Sequence, residues 1–417
     1  MDEFRRIPSP YKNADALDES YQPEDILGRD DELDEIHRVL QPIINNEPPQ
    51  NAFLYGLSGL GKTACMRYKI DALTEAAANY DDIAIESVWL NCDELTSSYQ
   101  VAIAIANTLL PADEILPKSG LPKSQVYETM FETLDALGTS DETGRDYILV
   151  VLDEVDNIGT NDRILYQFPR ARANGKVEQV WPAVIGISND VTFKEQLSTK
   201  VTSSLCDREI VFSRYNAVQL AAIIRQRVGV AFTDEAVGED VIQLCAAYAV
   251  REGGDARYAL DLLKVAADTA RDRGDDAITE ADLNDARAQV EDTRVLESVL
   301  SLNRHEQLAA AAIVHKQFAG ELPARRRELY SLYAQFATEV GIEPNKYRRF
   351  HDYIDNMSML GLIGTNEVNK GIGSDSYYEH TLRSLEAEMV FTALTSDDRE
   401  EDDMAAIPPA LREYAAR

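Results

Sequence analysis

The sequence predicts an α/β protein in three parts: a doubly wound parallel-sheet base, an all-α lid and a C-terminal winged-helix domain. Three observations predict it. A short apolar run, Phe53-Leu54-Tyr55, stops at Gly56 and opens Gly-Leu-Ser-Gly-Leu-Gly-Lys-Thr, the grammar of a strand feeding a phosphate loop and a helix. Further apolar runs alternate with helical patterns as far as residue 213, as a parallel sheet requires. Beyond Asn216 the pattern is helical only, until two helices and a Gly-rich segment close the third part.

In chain order, residues 1–25 are polar, carry Pro8, Pro10 and Pro23, and predict an arm packed loosely on the body. Leu33, Ile36 and Leu40, behind Gly28-Arg29-Asp30, predict a helix over 30–40. After the phosphate loop and its helix comes a strand over 85–92, then helices over 97–110 and 124–137 joined by a loop over 111–122. The apolar runs 147–152, 183–187 and 209–212 supply the remaining strands of the base domain, 26–213. The lid, 214–300, reads as helices over 216–228, 233–248, 255–272 and from 278, where Thr279 with Asp282 resembles a capping box. Residues 301–395 form the third domain, and 396–417 is an acidic tail that reads as disordered.

Composition narrows the function classes. No run approaches the roughly 18 apolar residues of a membrane span and nothing near the start resembles a signal segment, so a cytoplasmic protein with no membrane partner is expected. Cys65, Cys92, Cys206 and Cys245 are far apart and make no C-x-x-C pair, which argues for small buried hydrophobes. The net charge of -32 argues against a generic basic nucleic-acid binder. It fits either a protein with no polyanionic partner or an acidic surface adapted to high salt. About a dozen lysines against more than twice as many arginines, with acids spread along the chain, favour salt adaptation.

The chemistry falls at strand ends. Gly56, Gly61, Lys62 and Thr63 fit G-x-x-x-x-G-K-[ST] in full, with an extra glycine at Gly59. In such a loop the N–H groups of Gly59, Leu60 and Gly61 turn toward the β- and γ-phosphates, and the helix starting near Lys62 aims its positive end at them. Lys62 adds a point charge, and the Thr63 hydroxyl is placed to ligate Mg2+. Asp153 closes an apolar strand, where a carboxylate can hold the same cation. Glu154 alternates in direction and is placed to polarise an attacking water. Asn189, after the next strand, fits a residue that orients this water or touches the γ-phosphate, although Ser188-Asn189-Asp190 also makes a good turn. Arg257 opens a lid helix, where the dipole gives an arginine nothing; a γ-phosphate held between two domains is one reason for it and a surface salt bridge the other.

The C-terminal block carries helix-turn-helix grammar. Between Arg325 and Leu362 two helices are joined by Gly341-Ile342-Glu343-Pro344, and the second presents Lys346, Arg348 and Arg349 near its start. The segment 364–378 would be the wing, with Lys370 its one positive residue. Residues 301–390 hold about ten basic and about twelve acidic residues, a relatively basic island in a chain of -32. The alternative is that Arg325 to Arg327 and Arg348-Arg349 are solvated helix faces.

The strings Gly-Leu-Ser-Gly-Leu-Gly-Lys-Thr, Leu-Asp-Glu-Val-Asp, Gly-Ile-Ser-Asn-Asp and Gly-Gly-Asp-Ala-Arg together resemble an AAA+ ATPase. More narrowly, they resemble the archaeal Orc/Cdc-type replication initiators, over about residues 20–395. The resemblance implies an ATP/ADP and Mg2+ site with Lys62 and Thr63 as Walker A, Asp153 and Glu154 as Walker B, Asn189 as sensor one and Arg257 as sensor two. It also implies that Tyr215 and Arg227 line the pocket across the base-to-lid junction; taken alone, Tyr215 is just as easily a core aromatic. The helices over 97–137 fall where the family carries an insertion that touches the DNA minor groove. Where the family often has Asp-Pro-Arg-Val, this chain has Ser198-Thr199-Lys200-Val201, and Lys200 lacks the planar fork of an arginine, so no finger residue is assigned. The expectation is a slow, ATP-switched initiator that binds double-stranded DNA at a replication origin, nucleoid-associated, with a replicative helicase and other initiator copies as further partners. A DNA-binding regulator with structural ATP and an ATPase that acts on protein only are the competing classes.

Overall fold

The computed structural model describes residues 8–138, 144–205, 208–360, 362–368, 377–382, 390–392 and 394. The chain divides into two compact units, Met1–Leu283 and Asn284–Arg417. The predicted tail, 396–417, lies outside the described residues.

In the first unit β1 (Ala52–Tyr55), β2 (Ile83–Asn91), β3 (Arg145–Asp153), β4 (Val180–Ser188) and β5 (Arg208–Val211) form one parallel sheet in the order β2-β3-β4-β1-β5. β3 is buried from Asp146 to Leu152 because both faces of a wound sheet are covered, whereas β2 at the edge is partly exposed along its length. Helices α1 (Asp30–Ile44), α2 (Lys62–Ala77), α3 (Ser98–Leu109) and α4 (Lys123–Asp135) belong to this base. Val101, Ile105, Met130, Phe131 and Leu134 of α3 and α4 share one core with Ile148, Val150 and Leu152 of β3. In β4, a Cβ on Gly186 would lie 2.4 Å from Phe53 Cε1, so the ring from β1 takes the space of the missing side chain. Tyr55 is level with Ser188 and Val211, and Asn91 with Asp153. That register brings Gly56, Glu154 and Asn189 out at the same carboxyl edge, where wound sheets bind their ligands.

The lid helices are Ala217–Ala231, Glu239–Arg251 and Ala256–Arg273. The second starts at Glu239 rather than Thr233, because Thr233 donates its N–H to Pro10 O, Glu235 takes φ 68° and Val237 bridges Ile278. Thr279 and Asp282 cap the helix Glu280–Leu300 reciprocally: Thr279 N donates to Asp282 Oδ2 at 2.8 Å and Asp282 N to Thr279 Oγ1 at 3.4 Å.

The arm departs from expectation. Residues 8–25 are docked, with Ala16 and Leu17 buried, Tyr11 stacked on Phe232 at 5.3 Å, and the Tyr11 hydroxyl donating to Lys264 O at 3.0 Å. Prolines and charges advertise a loose segment, but Tyr11, Ala16 and Leu17 are enough apolar surface to hold it on the lid.

The second unit packs the helices Arg304–Phe318, Arg326–Glu339 and Tyr347–Met359 around Ile313, Leu329, Phe336, Phe350, Ile354 and Met357. An antiparallel sheet, in the order β6-β8-β7, is made of β6 (Ala324–Arg325), β7 (Ile363–Val368) and β8 (Tyr377–Leu382). Among the described residues no helix is long and apolar enough to cross a membrane. Cys65, Cys92 and Cys245 are buried, with burial pushing each thiol up to about 12; Cys206 lies outside the described residues.

Candidate nucleotide-binding site and nucleic-acid interface

The loop Gly56–Gly61 needs its glycines: φ is 155° at Gly56, 73° at Gly59 and 84° at Gly61, the last being the N-cap of α2. Lys62, at the first turn of α2, is turned back into the loop. Its Nζ donates to the carbonyls of Gly56 and Leu57 at 2.7 Å each and to Asn189 Oδ1 at 2.8 Å. Burial pushes its ammonium down to about 8 against the opposing pull of Asp153. Thr63 Oγ1 donates to Asp153 Oδ2 at 2.7 Å, which sets a hydroxyl and a carboxylate oxygen side by side, the hard donors Mg2+ takes. Glu154 follows at φ 54°, and Asn189 Nδ2 donates to Glu154 Oε1 at 3.3 Å. Burial, and then Asp93, Asp153 and Asp156, hold the Glu154 carboxyl above the usual range. Lys62, Thr63, Asp153, Glu154 and Asn189 are thus joined through hydrogen bonds at the sheet edge.

The lid reaches this loop through its helix N-terminus. Ala256 N donates to Gly59 O at 3.1 Å, and a Cβ on Gly59 would sit 1.7 Å from Asp255 Oδ1. Only glycine fits there. Asp255 also caps its own helix, accepting from Tyr258 N at 3.1 Å. Tyr215, 5% exposed, places its hydroxyl 2.8 Å from where a Cβ on Gly61 would be, and burial pushes that hydroxyl up to about 12.

Two predicted residues take their partners from the arm, although Arg257 still acts electrostatically on Lys62 and Glu154. Arg227 Nη1 and Nη2 donate to the carbonyls of Ala16 and Tyr21 at 3.3 Å, its guanidinium lies 4.5 Å from the Tyr21 ring, and among the described residues its buried Nε has no hydrogen-bond partner. Arg257 is 46% exposed and ion-paired with Glu19 of the arm. The structure therefore brings both to the arm, and neither donates to the phosphate loop.

Two residues escaped the sequence reading. Arg29, 1% exposed, donates from Nε to Leu60 O at 3.0 Å and from Nη2 to Ser213 O at 2.7 Å, pairs with Glu32, and lies 3.7 Å over the Tyr215 ring. It ties α1, the phosphate loop and the base-to-lid hinge together. Asp156 accepts from Asn189 N at 3.1 Å and fixes where that residue leaves β4. The sole signal for the first was an arginine between Gly28 and α1; Asp156 lay in the quoted acidic string without a position-specific cue.

In the second unit the helix Tyr347–Met359 begins after Lys346, and Lys346, Arg348 and Arg349 are all exposed. Its start is held by Asn345, whose carbonyl accepts from Tyr330 Oη at 3.1 Å, whose N–H donates to Tyr333 Oη at 2.9 Å and whose Nδ2 donates to Tyr353 Oη at 2.6 Å. Lys370 lies outside the described residues. In the base, the loop between α3 and α4 is pinned by Asn107, which exchanges two hydrogen bonds with the backbone of Leu116.

Comparison with known proteins places the chain among its relatives by domain. Residues 25–172 match the AAA ATPase domain, 221–288 the Cdc6 AAA+ ATPase-type lid domain, and 297–392 the CDC6 C-terminal winged helix domain. The chain is 44% identical over 400 residues to ORC1-type DNA replication protein 11 of Haloarcula marismortui, covering 95% of this chain and 94% of that one. It is 39% identical over 384 residues to ORC1-type DNA replication protein 10 of Halobacterium salinarum, covering 92% and 91%. Among solved structures it is similar to the Aeropyrum pernix ORC1 protein in complex with DNA, with TM-score 0.78 and 32% identity over 93% of this chain and 97% of that one.

Proposed function

The chain belongs to the ORC1-type DNA replication proteins, and from that premise we propose an origin-recognition protein whose grip on duplex DNA is switched by ATP bound and slowly hydrolysed between base and lid. The observation that carries the switch is the bonded cluster Lys62–Asn189–Glu154 beside a lid helix seated on Gly59. Lys62 leaves the carbonyls of Gly56 and Leu57 for the phosphates. Asn189, bonded to both Lys62 and Glu154, then senses whether the γ-phosphate is present. Glu154, whose carboxylate burial makes a stronger base than usual, takes the proton of the attacking water. Mg2+, for which Thr63 and Asp153 offer adjacent oxygen donors, supplies charge neutralisation at the phosphates when bound. Arg257 exchanges Glu19 for the γ-phosphate and so couples lid position to nucleotide state. Tyr215 and Arg29 keep the hinge closed around the loop. On the DNA side, Lys346, Arg348 and Arg349 lie on the exposed first turn of the second helix of the helix-turn-helix, the position that meets base edges and phosphates in the major groove.

The test is a pair of variants. Lys62→Ala loses nucleotide binding, whereas Glu154→Gln binds ATP at wild-type strength and hydrolyses it about 100-fold more slowly. Wild-type turnover in Glu154→Gln would remove that residue from the mechanism.

A further inference from the structure

Arg326 belongs to the basic run Arg325-Arg326-Arg327, yet it behaves unlike its neighbours. Arg325 and Arg327 are exposed, while Arg326 is 16% exposed and turned into the fold. Its Nε donates to His380 Nε2 at 3.3 Å, and its Nη2 to Asp355 Oδ1 at 3.0 Å. His380 is completely buried. In the sheet it is level with Ala324 of β6 on one side and Thr365 of β7 on the other. Since Nε2 accepts from the guanidinium, the ring proton is on Nδ1, which donates to Thr365 Oγ1 at 3.1 Å. The result is an unbroken chain, Asp355–Arg326–His380–Thr365. It runs from the helix bearing Arg348 and Arg349, through the first residue of the preceding helix, to both long strands of the wing sheet.

We propose that Arg326 and His380 are positioning residues that lock the wing to the recognition helix, so that sequence discrimination on duplex DNA depends on a pair that does not contact it. This rests on the reading that the winged helix binds duplex DNA. Phosphate attraction is long-ranged and tolerates a rocking wing, whereas base readout requires side chains held to within about 0.5 Å. The chain therefore governs discrimination more than general affinity. A half-buried arginine deprived of its imidazole acceptor would seek another partner and release the wing.

The experiment uses the full chain at molar KCl. A duplex is enriched from a random-sequence library by the wild-type protein, and its affinity is compared by fluorescence anisotropy with that for a scrambled duplex of equal length. His380→Leu lowers the selected-to-scrambled ratio about tenfold or more, while scrambled affinity and the salt slope stay as in wild type. His380→Gln, whose side-chain oxygen can still accept from Arg326, recovers most of the ratio. Should the leucine variant not fold, Arg326→Lys, which retains a charge for Asp355 without spanning to His380, is read in its place. An unchanged ratio, or equal loss on both duplexes, overturns the proposal, as does failure of the wild type to enrich any sequence. Arg348→Ala/Arg349→Ala is run in parallel: if that pair binds the selected duplex as wild type does, the winged-helix reading itself fails, independently of His380.

Discussion

Lys62 is held by its own loop, and its burial there makes nucleotide binding pH-dependent. Its ammonium is pushed down to about 8 by burial, while a bound phosphate favours the charged form. Below about pH 7 the free protein carries the charge already, so ATP affinity is level with respect to this group, and by pH 8 about half of the free ammonium has lost its proton. Above about 8 a proton must be taken up on binding, and affinity falls by roughly tenfold per pH unit. Calorimetry in buffers of different ionisation enthalpy measures that uptake; none at pH 9 would contradict the account. Residues of this kind were the most legible ones. Lys62, Thr63, Asp153, Glu154 and Asn189 each sit at a fixed offset from a strand end, and the sheet register brings them together. Arg29 was not legible, because its acceptors, Leu60 O and Ser213 O, are backbone atoms that any residue supplies. The resemblance puts Arg227 in the pocket, whereas its guanidinium donates to arm carbonyls more than two hundred residues away in sequence.

At the scale of elements, the seat of the lid helix on the phosphate loop is the most exacting contact. Gly59→Ala puts a Cβ into the Asp255 carboxylate at a φ of 73°, which L side chains rarely adopt. ATP affinity is expected to fall about tenfold, and the Ala256 amide, which donates to Gly59 O, to exchange faster with solvent. Unchanged exchange would show that the lid does not depend on this seat. The wing sheet has a pH limit of its own. His380 is pushed down to about 4, by burial first and the Arg326 guanidinium second. The unfolded chain therefore takes this proton before the folded one does. Stability of the second unit is fully present above about pH 6.5, drains as pH falls from there, and levels off below about 4. Thermal melts of wild type and His380→Gln should converge across that window; parallel curves would contradict it. Strands and most helices were legible because their apolar periods are local. The docked arm and the late start of the helix Glu239–Arg251 were not, since Tyr11, Phe232, Pro10 and Thr233 find each other across more than two hundred residues.

For the whole molecule, a net charge of -32 sets the conditions under which everything else operates. Self-repulsion of that size destabilises the compact state unless counterions screen it. Midpoints of unfolding should rise steeply from dilute buffer to molar KCl, and equal stability in both would end the salt-adapted reading. Close relatives from Haloarcula and Halobacterium accord with it. High salt also suppresses binding that depends on phosphate neutralisation alone, so the duplex binding proposed above would draw on shape and base contacts. An origin-recognition protein is defined by where it sits in the genome. The most direct measurement is chromatin immunoprecipitation from the native cells, comparing wild type with Arg348→Ala/Arg349→Ala. Sharp occupancy at one or a few replication origins that disappears in the variant is the predicted result; occupancy spread over promoters, or origin peaks indifferent to the two arginines, would contradict it.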